Sequence, residues 1–241
     1  MSRHNDAFGH LIHDFHCGNP AREIIERDDG LIDLSSGPDA YFTEYPDWPR
    51  SEQQAVDLAH GRVLDIGCGA GRHALYLQGK GLDAVGIDQS PLAVRTCRER
   101  GLRHARVVGI TQVGSGLGKF DTILMMGSNF GLFGSLTRAR WLLRRFRSIT
   151  SEDAVIIAES ADPHDTVKPC HLAYHRLNAE RGRMPGQLRI RVRYQTHIGE
   201  WFDYLKVSRD EMKNVMEGTG WRVARFLPES GTVYAGILER I

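Results

Sequence analysis

The run Asp65-Ile66-Gly67-Cys68-Gly69-Ala70-Gly71 holds the residue types best suited to chemistry in this chain. Glycines at alternate positions let the backbone turn sharply and let a ligand approach with no Cβ in the way. Val63 to Ile66, just before them, is a short apolar run that suits a buried parallel strand. A helix is expected to open at about Ala70, its first N–H groups pointing back at the loop. A second apolar run ends on Asp88, where a carboxylate accepts hydrogen bonds from ribose hydroxyls. Strand, acid, glycine loop, helix, strand and acid together describe a nucleotide-type site. Asp65 narrows the ligand. A carboxylate there repels a pyrophosphate and favours a ligand that carries positive charge.

These residues resemble the first motif of the class I S-adenosylmethionine-dependent methyltransferases, an acid-x-Gly-x-Gly-x-Gly loop. The cofactor's ammonium and sulfonium suit Asp65. The resemblance covers roughly residues 60 to 160 in motif, and the C-terminal strand pair more loosely. It implies a doubly wound α/β fold with a mostly parallel sheet of seven strands. It implies that Asp65, Gly67, Cys68 and Gly69 hold the methionine end of the cofactor. Asp88 would bind the ribose and Gln89 would lie against adenine. The family often has an acid near the third strand that reads the adenine amino group. Here the segment is Gly109-Ile110-Thr111-Gln112, so Thr111, Gln112 or a backbone carbonyl must serve instead. Met126 and Gly127, after the fourth strand, would lie near the cofactor, and Asn129 or Phe130 near the methyl acceptor. That segment is not the Asn-Pro-Pro-Tyr or Asp-Pro-Pro-Tyr of DNA amino methyltransferases. No cysteine pair suits a covalent pyrimidine mechanism.

Composition limits the alternatives. At 241 residues the chain fits one embellished α/β domain, and its net charge is +1. That balance gives no support for a general nucleic-acid surface. No apolar run reaches the length of a membrane span. The start, Met1-Ser2-Arg3-His4-Asn5-Asp6, is polar and lacks a signal-peptide core. Cys17, Cys68, Cys97 and Cys170 have no Cys-x-x-Cys spacing. A reduced, cytoplasmic protein without a bound metal, monomeric or homodimeric, is the simplest expectation.

In chain order, residues 1–60 read as an N-terminal arm. Phe8, Leu11, Ile12 and Phe15 mark an amphipathic helix. Ala21 to Arg27 reads as a second helix, and Ser35-Ser36-Gly37-Pro38-Asp39 as a loop. Tyr41, Phe42, Tyr45 and Trp48 either cover a sheet edge or lie over the cofactor, with Tyr45 a candidate substrate contact. Ser51-Glu52-Gln53-Gln54 has capping-box form. The cofactor-binding core, 61–160, alternates strands and helices. Arg138, Arg140, Arg144, Arg145 and Arg147 on its last helix read as a solvated face rather than a nucleic-acid patch. A final segment, 208–241, supplies a capped helix and an antiparallel strand pair.

Between them, 161–207 reads as a helix-plus-hairpin insertion over the substrate. Pro169 opens its helix, where His171, Tyr174, His175 and Asn178 form one polar stripe. Facing a pocket, the stripe offers His175 and His171 as general bases. Facing elsewhere, it is structural. No third ligand suggests a metal. Leu188, Ile190, Val192 and Tyr194 alternate with Arg189, Arg191 and Arg193, a strand whose arginines meet an anionic substrate or simply water. Trp201 to Lys206 reads as a second strand, with Ile198-Gly199 in the connection. Tyr174, Arg191 and Trp201 are candidate substrate contacts; Tyr204 and Asp203 join the histidines as candidate catalytic groups.

The function expected is methyl transfer from S-adenosylmethionine to a small-molecule acceptor by in-line displacement. The alternatives are a protein or RNA methyltransferase using the arginine faces, and a non-catalytic S-adenosylmethionine-binding protein. A nicotinamide-dependent oxidoreductase is opposed by Asp65.

Overall fold

The computed structural model describes residues 6–35, 37–228 and 230–241. Ser36 of the expected loop and Met1 to Asn5 of the polar start lie outside them. The helices are α1 (Ala7–His16), α2 (Arg50–Val56), α3 (Arg72–Gly79), α4 (Pro91–Glu99), α5 (Leu136–Phe146), α6 (Pro169–Glu180) and α7 (Arg209–Met216). The strands are β1 (Ile24–Arg27), β2 (Ile32–Leu34), β3 (Arg62–Ile66), β4 (Asp83–Asp88), β5 (His104–Val107) and β6 (Phe120–Met125). They continue with β7 (Thr150–Ala161), β8 (Gln187–Tyr194), β9 (His197–Ile198), β10 (Phe202–Leu205), β11 (Trp221–Leu227) and β12 (Val233–Arg240). No helix among the described residues is long and apolar enough to cross a membrane.

The chain divides into two compact units, each assembled from separate segments. The first comprises 1–48, 62–112 and 189–202. Here β3, β4 and β5 pair in parallel, Ile66 opposite Ile87 and Asp88 opposite Val107. Parallel pairing follows from the helical crossovers through α3 and α4. β3 and β4 are buried from their second residue onward, as parallel strands covered on both faces are, while β5 at the edge is largely exposed. Ser90 caps α4 by accepting the Ala93 N–H at 3.0 Å, and Pro91 supplies a preset first turn.

The same unit corrects the reading of Ala21 to Arg27. Ile24 to Arg27 is strand β1, antiparallel to β2 and to β8. Burial decides this. Ala7 and Leu11 of α1 pack on Val192 and Tyr194 of β8, with Ile25 against them. A strand at 24–27 extends that apolar face; a helix would not reach it. The hairpin also turns earlier than expected. Gln195 takes φ 50° at the bend, and Ile198 lies in β9 opposite Arg193 rather than in the connection.

The second unit comprises 49–61, 113–188 and 203–241. Here β6 runs parallel to β7, while β7–β12 and β12–β11 are antiparallel. The capping box at Ser208 and Glu211 forms as its spacing predicts. The one at Ser51 does not. Pro49 occupies the N-cap of α2 with no side-chain cap, and Glu52 points into a buried position. The α5 arginines are tied to the unit's own carbonyls. Arg138 donates to Phe133 O, Arg140 to Asn214 O, Arg144 to Gly218 O and Arg145 to Val113 O.

Candidate functional site

In the first unit, β3 delivers Asp65 and the glycine loop to the carboxyl end of the parallel strands, where ligands bind in such sheets. Gly67, Gly69 and Gly71 take φ of 72°, 55° and 81°, the left-handed region that glycine tolerates. At Gly71 a Cβ would also fall 2.9 Å from Cys97 Sγ. The helix starts at Arg72 with Gly71 as its cap, slightly later than the expected opening at Ala70. The loop's own donors are committed inward: Gly67 N and Cys68 N donate to Ile87 O, and Gly69 N to Asp88 Oδ2. What the loop presents is a surface without side chains.

Asp65 is 2% exposed, and its Oδ2 has no hydrogen-bond partner among the described residues. Burial pushes its carboxyl up to about 7, against the Ala74 N–H and the Arg72 charge, with Asp88 adding to the push. Asp88 is likewise buried and raised to about 6, although Ser90 N and Gly69 N hydrogen-bond to it. Cys68 turns its side chain away from the loop surface, its Sγ 3.8 Å from Cys97 Sγ. Cys97 Sγ donates to Gly69 O at 3.1 Å, so the thiol pair braces the loop from behind.

Gln89 and Gln112 come together around Gly109. Gln112 Oε1 accepts the Gly109 N–H at 2.9 Å, and a Cβ on Gly109 would lie 3.9 Å from Gln89 Cβ. Thr111 and Gln112 are exposed on a short 3-10 turn. Tyr45 stacks on Tyr76 of α3, centroids 4.3 Å apart. Arg191 is held by Glu26 at 2.9 Å and 3.0 Å and lies 4.4 Å from the Trp201 ring. Arg193 reaches the same carboxylate at 3.2 Å. Arg191 and Arg193 of β8 therefore share one acidic partner, Glu26 of β1.

Asp88 does more than its expected role. Its two oxygens fix Gly69 and Ser90. Replacing Asp88 with Ala is expected to remove the ribose acceptor and also to cost about 1–3 kcal/mol of stability through buried N–H groups left unpaired. Thermal melts beside ligand titration check it: an unchanged melting temperature would return Asp88 to a purely ligand-binding role.

In the second unit the turn after β6 is clamped from several sides. Met126 is buried, Gly127 has φ 68°, and Ser128 is a non-glycine residue at φ 60°. Ser128 N donates to Glu159 Oε1 at 2.8 Å, and Tyr204 Oη donates to Ser128 O at 2.6 Å. Arg138 adds bonds to Leu132 O and Asp203 O, each at 3.3 Å. Asn129 begins the 3-10 segment Asn129–Phe133. Phe130 is fully buried against Phe133, which places its ring in the core rather than at a surface open to substrate. Glu159 was missed by the sequence reading. Its signal was present: one carboxylate closing the apolar run Val155-Ile156-Ile157-Ala158.

The α6 stripe divides. Tyr174 and Asn178 are buried, and Asn178 Nδ2 donates to Pro185 O and Gln187 O at 3.0 Å and 2.8 Å. His171 and His175 are half-buried. His171 Nδ1 lies 3.1 Å from Thr166 Oγ1, and the His175 ring is 6.0 Å from that of His164. His164 in turn meets Glu211 at 3.2 Å. The four candidate catalytic groups thus fall in two neighbourhoods, Tyr204 and Asp203 at the Ser128 turn, His171 and His175 beside His164. Among the described residues no group of three or more His, Cys, Asp or Glu side chains could hold a metal.

Residues 63–152 match a methyltransferase-domain family model. The chain is similar to a tRNA U34 carboxymethyltransferase from a Geobacter strain, 39% identical over 87 residues, 33% of this chain and 27% of the relative. It is also similar to a 2-heptyl-1-hydroxyquinolin-4(1H)-one methyltransferase from Mycobacteroides abscessus, 41% identical over 71 residues, 27% of this chain and 31% of the relative. The chain therefore matches less than a third of the length of these curated relatives. Over 100% of its length it superposes on 97% of a SAM-dependent methyltransferase chain from Bacteroides fragilis, solved in complex with S-adenosyl-L-homocysteine, at 26% identity and a TM-score of 0.83.

Proposed function

The chain belongs to the Rossmann-like, S-adenosylmethionine-dependent methyltransferases, and from that premise we propose that it methylates a small-molecule acceptor. The doubly wound, mostly parallel α/β architecture expected from the sequence is that of the superposed methyltransferase. S-adenosylmethionine supplies an electrophilic methyl group when bound. The residues fit it on one observation: Asp65, at the head of the glycine loop, holds a buried oxygen with no hydrogen-bond partner among the described residues. The cofactor's ammonium is the group that Asp65 would pair with. Asp88 would take the ribose, and Gln89, Thr111 and Gln112 would frame the adenine.

In-line displacement depends chiefly on holding acceptor and methyl together in a dry site. In this reading Met126 and Gly127 border the cofactor, and the braced turn at Ser128 sets the position of Asn129. A proton lost by the acceptor would go to His175 or His171. Tyr204 is less suited, because its hydroxyl already donates to Ser128 O. Tyr174, buried in the fold, is not open to an acceptor.

The observation that carries the small-molecule reading is the fate of the arginines. Those of α5 bind backbone carbonyls, and Arg191 and Arg193 bind Glu26. An RNA acceptor is the second reading, favoured by the tRNA-modifying relative. Calorimetric titration with S-adenosylmethionine, S-adenosylhomocysteine, NAD and a short single-stranded RNA decides between them. Micromolar binding of the first two, none for NAD and no salt-sensitive RNA binding is the expected result. NAD binding alone would overturn the cofactor, and tight RNA binding that weakens steeply with salt would overturn the acceptor class.

A further inference from the structure

A buried carboxylate stands behind a tyrosine whose ring reaches the glycine loop. Glu23 precedes β1 and is 3% exposed. It accepts the Tyr41 hydroxyl at 3.1 Å and 3.3 Å through its two oxygens. Burial pushes its carboxyl up, against hydrogen bonds from Ser35 and Tyr41. A neutral Gln would hold Tyr41 equally well at lower desolvation cost, so tethering alone does not account for the acid. The Tyr41 ring meets the Phe8 ring edge to face, 5.3 Å apart at 87°. Both rings reach the loop: a Cβ on Gly69 would lie 3.6 Å from Phe8 Cζ and 3.9 Å from Tyr41 Cδ1. Two aromatic rings, one backed by a buried acid, therefore border the middle glycine of the loop.

We propose that Phe8, Tyr41 and Glu23 form a cation-selective wall that favours S-adenosylmethionine over its neutral thioether product. The inference rests on the cofactor reading above and deepens it. On that reading Asp65 would hold the cofactor's charged end at this loop, and Phe8 and Tyr41 would stand near the sulfonium, whose charge they would favour. An aromatic face attracts a cation through its quadrupole. A phenol that donates its proton to a carboxylate is richer in electrons, and the carboxylate adds its own attraction across the ring. The product carries the same ammonium and ribose but no sulfonium charge, so it gains nothing from the wall. Discrimination of this kind speeds the exchange of spent cofactor for fresh.

The test is the ratio of dissociation constants for S-adenosylhomocysteine and S-adenosylmethionine, measured by calorimetry on the full chain. Glu23→Gln, which keeps the ring and its tether but removes the charge behind it, is expected to lower that ratio about three- to fivefold. Tyr41→Phe keeps the ring, loses the tether and should lower the ratio about threefold on the same basis. The second variant keeps the test decisive if the first fails to fold. An unchanged ratio in folded variants that bind both ligands overturns the wall and leaves the cofactor reading standing. Binding of neither ligand to the wild-type chain overturns the cofactor reading itself, and the wall with it.

Discussion

Asp65→Asn is expected to raise the stability of the ligand-free chain at pH 8 while weakening S-adenosylmethionine binding. The two effects share one cause. In the folded chain burial raises this carboxyl from 3.8 to about 7. The folded state thus binds the proton more tightly than the unfolded state does. Stability is highest below the unfolded value, falls as pH rises between the two, and is lowest above the folded one. A shift of that size corresponds to about 4 kcal/mol once the carboxylate is forced to ionise. Asn removes the charge but leaves an amide to satisfy, which returns part of the gain. The net expectation is about 2 kcal/mol, or roughly 4–8 °C in melting temperature, at pH 8. At pH 5, inside that window, the folded carboxyl still holds its proton and only about 1.6 kcal/mol of the penalty has developed, which the cost of the buried amide offsets, so the gain should nearly vanish. With ligand the sign is expected to reverse, because on the proposed reading the charge that burdens the empty fold is the one that would pair with the ammonium. Losing a charge-assisted bond of about 2–3 kcal/mol lowers affinity roughly 30- to 150-fold. Melts at both pH values with and without S-adenosylmethionine read all four quantities. A variant that melts lower at pH 8 and binds as tightly as wild type would remove Asp65 from the site.

What the sequence disclosed and what it hid divide along a physical line. The glycine loop and Asp88 were legible because their chemistry lies in adjacent residues: apolar run, acid, glycines, acid. The Ser208 capping box and the Pro169 helix start are equally local, and both appear where their signals stand. The errors fall where a distant partner decides. Ile24 and Ile25 fit a helix or a strand by themselves, and only β8, far along the chain, makes them β1. The alternation of Arg189, Arg191 and Arg193 was correctly read as a strand face, but its meaning depends on Glu26, which no periodicity reveals. The α5 arginines tell the same story, since the carbonyls they bind at Asn214 and Gly218 carry no sequence signature. Ser51 shows the converse. A correct local pattern lost to Pro49, which took the N-cap and left Ser51 inside the first turn of α2.

The same dependence on distant partners makes Gly131→Ala the more damaging of two small changes at the Ser128 turn. Gly131 lies in the 3-10 segment that follows the turn. A Cβ there would lie 2.2 Å from Tyr204 Cζ and 2.4 Å from two other ring atoms. Alanine ordinarily gains about 0.5–1 kcal/mol over glycine by restricting the unfolded chain. Here the clash is with a ring, which cannot fold aside like a flexible chain end, so the overpacking cost of about 1–3 kcal/mol prevails. Moving the ring also breaks the Tyr204 hydrogen bond to Ser128 O, about 1 kcal/mol more. The net expectation is a loss of about 2 kcal/mol, or roughly 4–8 °C in melting temperature. Tyr204→Phe, which removes only the hydroxyl, should cost about half as much. The decisive measurement is the double variant Gly131→Ala with Tyr204→Ala, because truncating the ring makes room for the new methyl. Gly131→Ala should then cost less than it does alone, a positive coupling of 1 kcal/mol or more of the kind neighbouring residues show. Strict additivity would mean that the ring and the glycine do not share this space. The turn would then owe its left-handed Ser128 to Glu159 rather than to Tyr204.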